Sequence, residues 1–184
     1  QAELPPQGTT ALARQAVETG GLHFETTHRA ADGRLFDASV WIRAIHLHGR
    51  DYLLGIWRDI SAERSTKQKL EKFSLAIEQS PNAVVITDTE ARIEYVNDAF
   101  TQTSGYTREE ALGHNPRLLK SGKTPGEVYT AMWAALTRGE AWRGELINRR
   151  KDGEEYIELA QISPIRQPDG RITHYLAIKQ DITE

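Results

Sequence analysis

The sequence predicts an α+β fold: a five-stranded antiparallel sheet with short helices, preceded by a partial copy of the same unit. Two observations predict it. The first is a repeat. Arg29-Ala30-Ala31-Asp32-Gly33, a strand pair and Asp59-Ile60-Ser61 recur as Arg149-Arg150-Lys151-Asp152-Gly153, a strand pair and Asp181-Ile182-Thr183. Gly33 and Gly153 stand 120 residues apart, and Asp59 and Asp181 stand 122 apart. One domain copied with slightly different hairpins has that register. The second is the order β-β-α-α-α-β-β-β after Pro81, with short helices segregated from an antiparallel sheet.

The second unit reads element by element. Ala83 to Thr87 is a β-rich apolar run, and Arg92 to Val96 alternates polar and apolar residues as a half-buried strand does. Asn97 caps a short helix that Gly105 ends. Thr107 and Glu110 have the spacing of a capping box, closed by Gly113. Thr124-Pro125-Gly126-Glu127 opens the longest helix of the unit, with Thr124 as N-cap. Its Val128, Met132, Ala135 and Leu136 follow the stripe of a helix lying on a core. Trp142 to Arg150, Glu155 to Pro164 and Ile172 to Ile182 are three strands. Lys151-Asp152-Gly153 and Gln167-Pro168-Asp169-Gly170 make their turns.

The first unit holds the back half of this plan. Ala11 to Thr19 matches the long helix, and Leu22 to Arg29, Leu35 to Ile45 and Tyr52 to Ile60 match the three strands. Only Gln1 to Thr10 precede that helix, with Pro5-Pro6-Gln7-Gly8 as loop, so the first two strands are expected to be missing and the chain to be a fragment. The expected boundaries are a partial unit at 1–61, a helical linker at 62–80 and a complete unit at 81–184. Ser61 to about Gln79 has no breaker and should be one helix. Leu70, Phe73 and Ile77 have coiled-coil spacing, which suits either a solvated linker or a seam between two copies.

Composition narrows the function classes. The 184 residues carry a net charge of −3 and no basic run, which disfavours a broad nucleic-acid surface. No apolar stretch approaches membrane-spanning length and no signal segment opens the chain, so the cytoplasm is the expected location. There is no Cys, hence no disulfide and no thiolate chemistry. No phosphate-binding Gly loop, His-Glu-x-x-His or Gly-x-Ser-x-Gly is present, so an enzyme is not expected. His46 and His48 share a strand face, but His-x-His beside a Gly turn is weak as a metal pair.

The element order, Asn148-Arg149-Arg150-Lys151-Asp152-Gly153 and the closing Asp181-Ile182-Thr183 resemble a PAS domain. Such domains are sensory modules of bacterial histidine kinases, diguanylate cyclases and related regulators. The resemblance implies that Asp59, Asp181 and Thr183 tie the last strand to the outgoing helix and couple signal to it. It also implies a homodimer, through the linker helix or a PAS surface, and a downstream effector domain in the parent chain.

A narrower resemblance lies in Gly113-His114-Asn115-Pro116-Arg117-Leu118-Leu119, then Tyr129, Trp133, Trp142-x-Gly144 and Asn148. It is similar to the flavin-binding subgroup, which includes LOV domains and redox sensors of the NifL and MmoS type. The implied cofactor is FAD, with FMN or no cofactor as alternatives. An isoalloxazine ring needs apolar walls and amides at its polar edge. Asn115 and Asn148 would stand at that edge. Val85, Leu118, Leu119, Met132, Trp133, Leu146, Leu176 and Ile178 would form walls, or simply fill a core. In LOV domains a reactive Cys follows the first Asn. Here Pro116 stands there, so a light-driven thiol adduct is excluded. Glu158 either points into the same cavity as a substitute polar group or is an exposed carboxylate of the sheet face. The sequence therefore reads as a redox- or oxygen-sensing module working through bound flavin, with a ligand-free dimerisation and relay module as the alternative.

Overall fold

A computed structural model describes residues 14–183. Ala11 to Ala13 of the first expected helix, and the Pro5 to Gly8 loop, lie outside the described residues. The chain divides into two compact units, Gln1–Lys72 and Phe73–Glu184.

In the first unit, α1 (residues 14–19) ends at Gly20, whose φ of +76° suits a residue without Cβ. Three antiparallel strands follow: β1 (Leu22–Arg29), β2 (Leu35–Leu47) and β3 (Arg50–Asp59), in that spatial order. Registers Phe24↔Val40 and His28↔Phe36 align the apolar positions of one face. Phe36, Ala38 and Val40 form its small core, with Phe24 and Ile42 packed against them. Among the described residues, β3 pairs on one side only, and its Ile56 and Trp57 are exposed. His48, at φ 51°, belongs to the β2–β3 turn rather than to a strand face shared with His46.

The two copies share their turn. Ala30 N donates to Arg34 O at 2.8 Å and Gly33 N to Ala30 O at 2.9 Å. In the second copy Arg150 N donates to Glu154 O at 2.8 Å and Gly153 N to Arg150 O at 3.0 Å.

The stretch after Asp59 is one helix, α2 (Ser61–Glu78), with no buried residue. Leu70 and Phe73 are 70% and 66% exposed. It stops before Pro81, which disfavours helical geometry in the residue ahead of it.

The second unit contains β4 (Ala83–Asp88), β5 (Ile93–Val96), α3 (Asp98–Ser104), α4 (Arg108–Ala111), a 3-10 turn (Pro116–Leu119), α5 (Gly126–Thr137), β6 (Trp142–Arg149), β7 (Glu155–Arg166) and β8 (Ile172–Asp181). Its antiparallel sheet has the order β5-β4-β8-β7-β6. Val85, Ile93, Val96, Phe100 and Leu119 form the main core. Each such side chain contributes roughly 1.5–3 kcal/mol by leaving water.

Asn97 holds the entry to this unit. Fully buried, it accepts from Val84 N at 2.8 Å and Phe100 N at 3.1 Å through Oδ1. Its Nδ2 donates to Ile77 O and Asn82 O, both at 3.0 Å. The Thr107–Glu110 capping box is formed. Thr124, expected as the N-cap of α5, is not one. Its hydroxyl accepts from Ile147 N at 2.8 Å and donates to Ile147 O at 3.2 Å, fastening the loop to β6, and Pro125 precedes the helix without a side-chain cap.

Candidate functional site

Strand alternation determines which side chains meet beneath α5. Inward positions are Val85 and Thr87 on β4, Leu146 and Asn148 on β6, Ile162 on β7, and Tyr175, Ala177 and Lys179 on β8. Met132, Trp133 and Leu136 of α5 roof them, and Asn115, Pro116 and Arg117 of the 3-10 segment close one side. These residues line a mainly apolar cavity of about 280 Å³. That is just below the roughly 300–1,000 Å³ of small-molecule sites.

Asn115 caps the 3-10 turn, its Oδ1 accepting from Arg117 N at 3.0 Å. The cap fixes the side chain at the cavity rim. Asn148 is buried opposite Tyr156 in the β6–β7 ladder, and its backbone bridges Lys120. Trp133 is 38% exposed, with its ring edge-on to Tyr175 at 5.9 Å. Trp142 lies over Gly144, where an added Cβ would collide with the indole. This contact is the physical content of the Trp-x-Gly spacing.

Val85, Met132, Trp133, Leu146, Asn115 and Asn148 therefore meet at the cavity. Leu118 and Leu119 pack into the main core instead. Ile178, expected as a wall, is 40% exposed. The period of two that points Ala177 and Lys179 inward points Ile178, and Leu176 with it, away.

Glu158 is buried rather than exposed. Its Oε1 accepts from Lys179 Nζ at 2.6 Å, in an ion pair whose side chains are 3% and 7% exposed. Its Oε2 accepts from the Tyr156 hydroxyl at 3.3 Å. Burial, with the Glu158 charge adding to it, pushes the Tyr156 hydroxyl far above the ordinary tyrosine range, so it remains a neutral donor. Lys179 escaped the sequence reading, although its parity with Tyr175 and Ala177 marks it as inward.

A chain of contacts leads from this pair to the end of the sheet. The Arg150 guanidinium lies 4.4 Å from the Tyr156 ring centroid. Arg150 Nη2 pairs with Asp181 Oδ2 at 2.6 Å. Asp181 Oδ1 accepts from Thr183 N at 3.0 Å and from Thr183 Oγ1 at 2.7 Å. In the first unit, Asp59 Oδ1 accepts from Ser61 N at 2.9 Å, so both closing motifs fold back on themselves.

Among the described residues, no group of His, Asp or Glu is arranged to hold a metal, and no helix is long and apolar enough to cross a membrane.

The PAS domain family matches residues 5–62 and 81–184, and the chain belongs to that family. It is a sensory module of signal transduction. A nitrogen fixation regulatory protein of Klebsiella oxytoca is 42% identical over 118 residues, covering 64% of this chain and 24% of that protein. The aerotaxis receptor of Escherichia coli is 35% identical over 98 residues, covering 53% of this chain and 19% of the receptor. The LOV domain of a blue-light activated histidine kinase from Erythrobacter litoralis superposes with a TM-score of 0.54 at 27% identity, covering 58% of this chain and 100% of that domain. The matched region thus spans about a quarter or less of the two regulatory proteins.

Proposed function

We propose that the second unit binds a flavin non-covalently and reports its redox state. The observation that carries this reading is the cavity itself: apolar walls from both layers, an aromatic roof at Trp133, and the amides of Asn115 and Asn148 at its polar side. This donor set suits a flat ring with one polar edge. The likeness to a nitrogen fixation regulator and an aerotaxis receptor supports a redox or oxygen signal. FAD is favoured over FMN because the motif around Asn115 is closer to redox-type sensors than to light sensors. Bound flavin would supply a two-electron couple. The chain's own residues hold the ring, exclude water and carry the change in local hydrogen bonding through β6, β7 and β8 to Asp181 and Thr183.

The first unit is the back half of a second PAS domain, 1–61, and 62–80 is the helix joining it to the complete domain at 81–184. The module is regulatory rather than catalytic, works in the cytoplasm, pairs with a second copy through α2 or a PAS surface, and controls an effector domain elsewhere in its parent chain. A ligand-free relay would need a core packed solid, and the cavity argues against that.

The test is a visible spectrum after incubation with excess FAD or FMN and removal of free ligand. Retained flavin bands that dithionite bleaches reversibly, with no adduct on illumination, are expected. Protein that stays colourless rejects the flavin reading.

A further inference from the structure

We propose that Lys179 makes the cavity charge-selective: its ammonium favours a ligand that becomes anionic, so the site binds the reduced, negatively charged flavin more tightly than the neutral oxidised form. The inference rests on the flavin reading above and adds which redox state the site prefers and which residue sets that preference.

Three observations carry it. Lys179 belongs to the cavity wall, on the inward side of β8 beside Ala177. Its side chain is 7% exposed, so little water screens it. A lysine ammonium has three N–H donors, and the described residues take one, through Glu158 Oε1. Two donors remain. Arg117 and Lys120 also line the cavity, but both are exposed and screened by water, whereas Lys179 is buried. A buried cation is costly unless it is paired and hydrogen-bonded. Glu158 supplies the pairing, and Tyr156 occupies the other carboxylate oxygen with a neutral donor. Glu158 shares the inward face of β7 with Ile162 but is not among the residues that line the cavity, whereas Lys179 is.

The redox step balances. Dithionite gives up two electrons and becomes sulfite. The ring takes those two electrons and one proton from water, and ends with one negative charge. In water a second proton neutralises it more readily. Beside Lys179 the anion gains a charge-assisted hydrogen bond and keeps its charge.

The experiment compares the wild type with Lys179→Met, Lys179→Arg and Glu158→Gln, each loaded with FAD, by redox titration against a reference dye from pH 6 to 8. In the wild type one proton should accompany two electrons. Lys179→Met should lower the preference for reduced over oxidised flavin by about tenfold or more, which is about 30 mV for a two-electron couple. Its proton count should move toward two. Lys179→Arg should retain the wild-type behaviour. Glu158→Gln keeps the shape but removes the counter-charge, and should raise the potential. It also decides the matter if Lys179→Met does not fold. Flavin bound by all variants at an unchanged potential and proton count overturns this inference and leaves the flavin site standing. A wild type that takes up no flavin overturns both.

Discussion

The Ile157 amide donates to the Thr183 hydroxyl oxygen across 2.9 Å. Ile182 N returns a bond to Ile157 O at 2.9 Å, so the closing motif is stitched to the second residue pair of β7. The first unit repeats the stitch: Asp37 N donates to Ser61 Oγ at 2.8 Å, and Ile60 N donates to Asp37 O at 2.8 Å. Ile157 follows Asp37 by 120 residues, the same interval that separates the two turn glycines. The recurrence explains why a hydroxyl residue ends both motifs: each must accept from a strand N–H that the sheet leaves unpaired.

Asp181 predicts an acid dependence. Burial alone would raise its pKa, but the Thr183 hydroxyl and amide and the Arg150 guanidinium outweigh burial and hold it below the ordinary 3.8. A carboxyl lowered by folding stabilises the native state above its unfolded value, and that contribution is lost as pH falls through the lower folded value. Asp181→Asn should therefore lose less stability than the wild type as pH falls below about 4, read as urea midpoints across the acid range. Parallel acid profiles would contradict the assignment.

Asn148→Ala should weaken flavin binding about tenfold, the equivalent of one hydrogen bond at roughly 0.5–1.5 kcal/mol, without unfolding the domain. Fluorescence titration with FAD measures it. Equal affinity in variant and wild type would remove Asn148 from the ring edge.

Glu158→Ala should cost about 3–5 kcal/mol of folding stability, because it strands the Lys179 ammonium in the interior. Replacing both partners, Glu158→Leu with Lys179→Met, should recover most of that loss. Denaturant unfolding of the two variants gives the comparison, and a single variant as stable as the double one would mean that water reaches the pair.

Leu70→Ser with Phe73→Ser should shift a dimer toward monomer in sedimentation equilibrium while leaving helix content unchanged. Both side chains lie exposed on α2, so nothing inside the described fold explains their apolar character. A mass that does not change would assign pairing to another surface.

Much of this fold was legible because its signals are local. Alternation marked the strands, Gly33 and Gly153 marked the turns, and Asn97 and the Thr107–Glu110 box marked helix starts with side-chain chemistry that needs no distant partner. What escaped depends on partners far along the chain. Thr124 has the composition of an N-cap, yet the β6 backbone at Ile147 claims its hydroxyl. Lys179 reads as a surface lysine until β8 pairs beside β7 and brings Glu158 to it. Ile178 was placed with the walls by its hydrophobicity, whereas parity with Lys179 would have placed it outside. The amides of Asn115 and Asn148 were identified by resemblance, and the fold brings both to the cavity lining.

Asn97 has a mechanical consequence. An asparagine amide offers two donors and room for two acceptances at its oxygen, and all four are used. The last turn of α2, at Ile77, and the first residues of β4, at Val84, thus grip one side chain with no water or flexible spacer between them. Such a clamp has no swivel: torque applied to the C-terminal turn of α2 must either reach the central strands or break the grip. Compliance in this part of the molecule has to come from the body of the exposed helix rather than from its root.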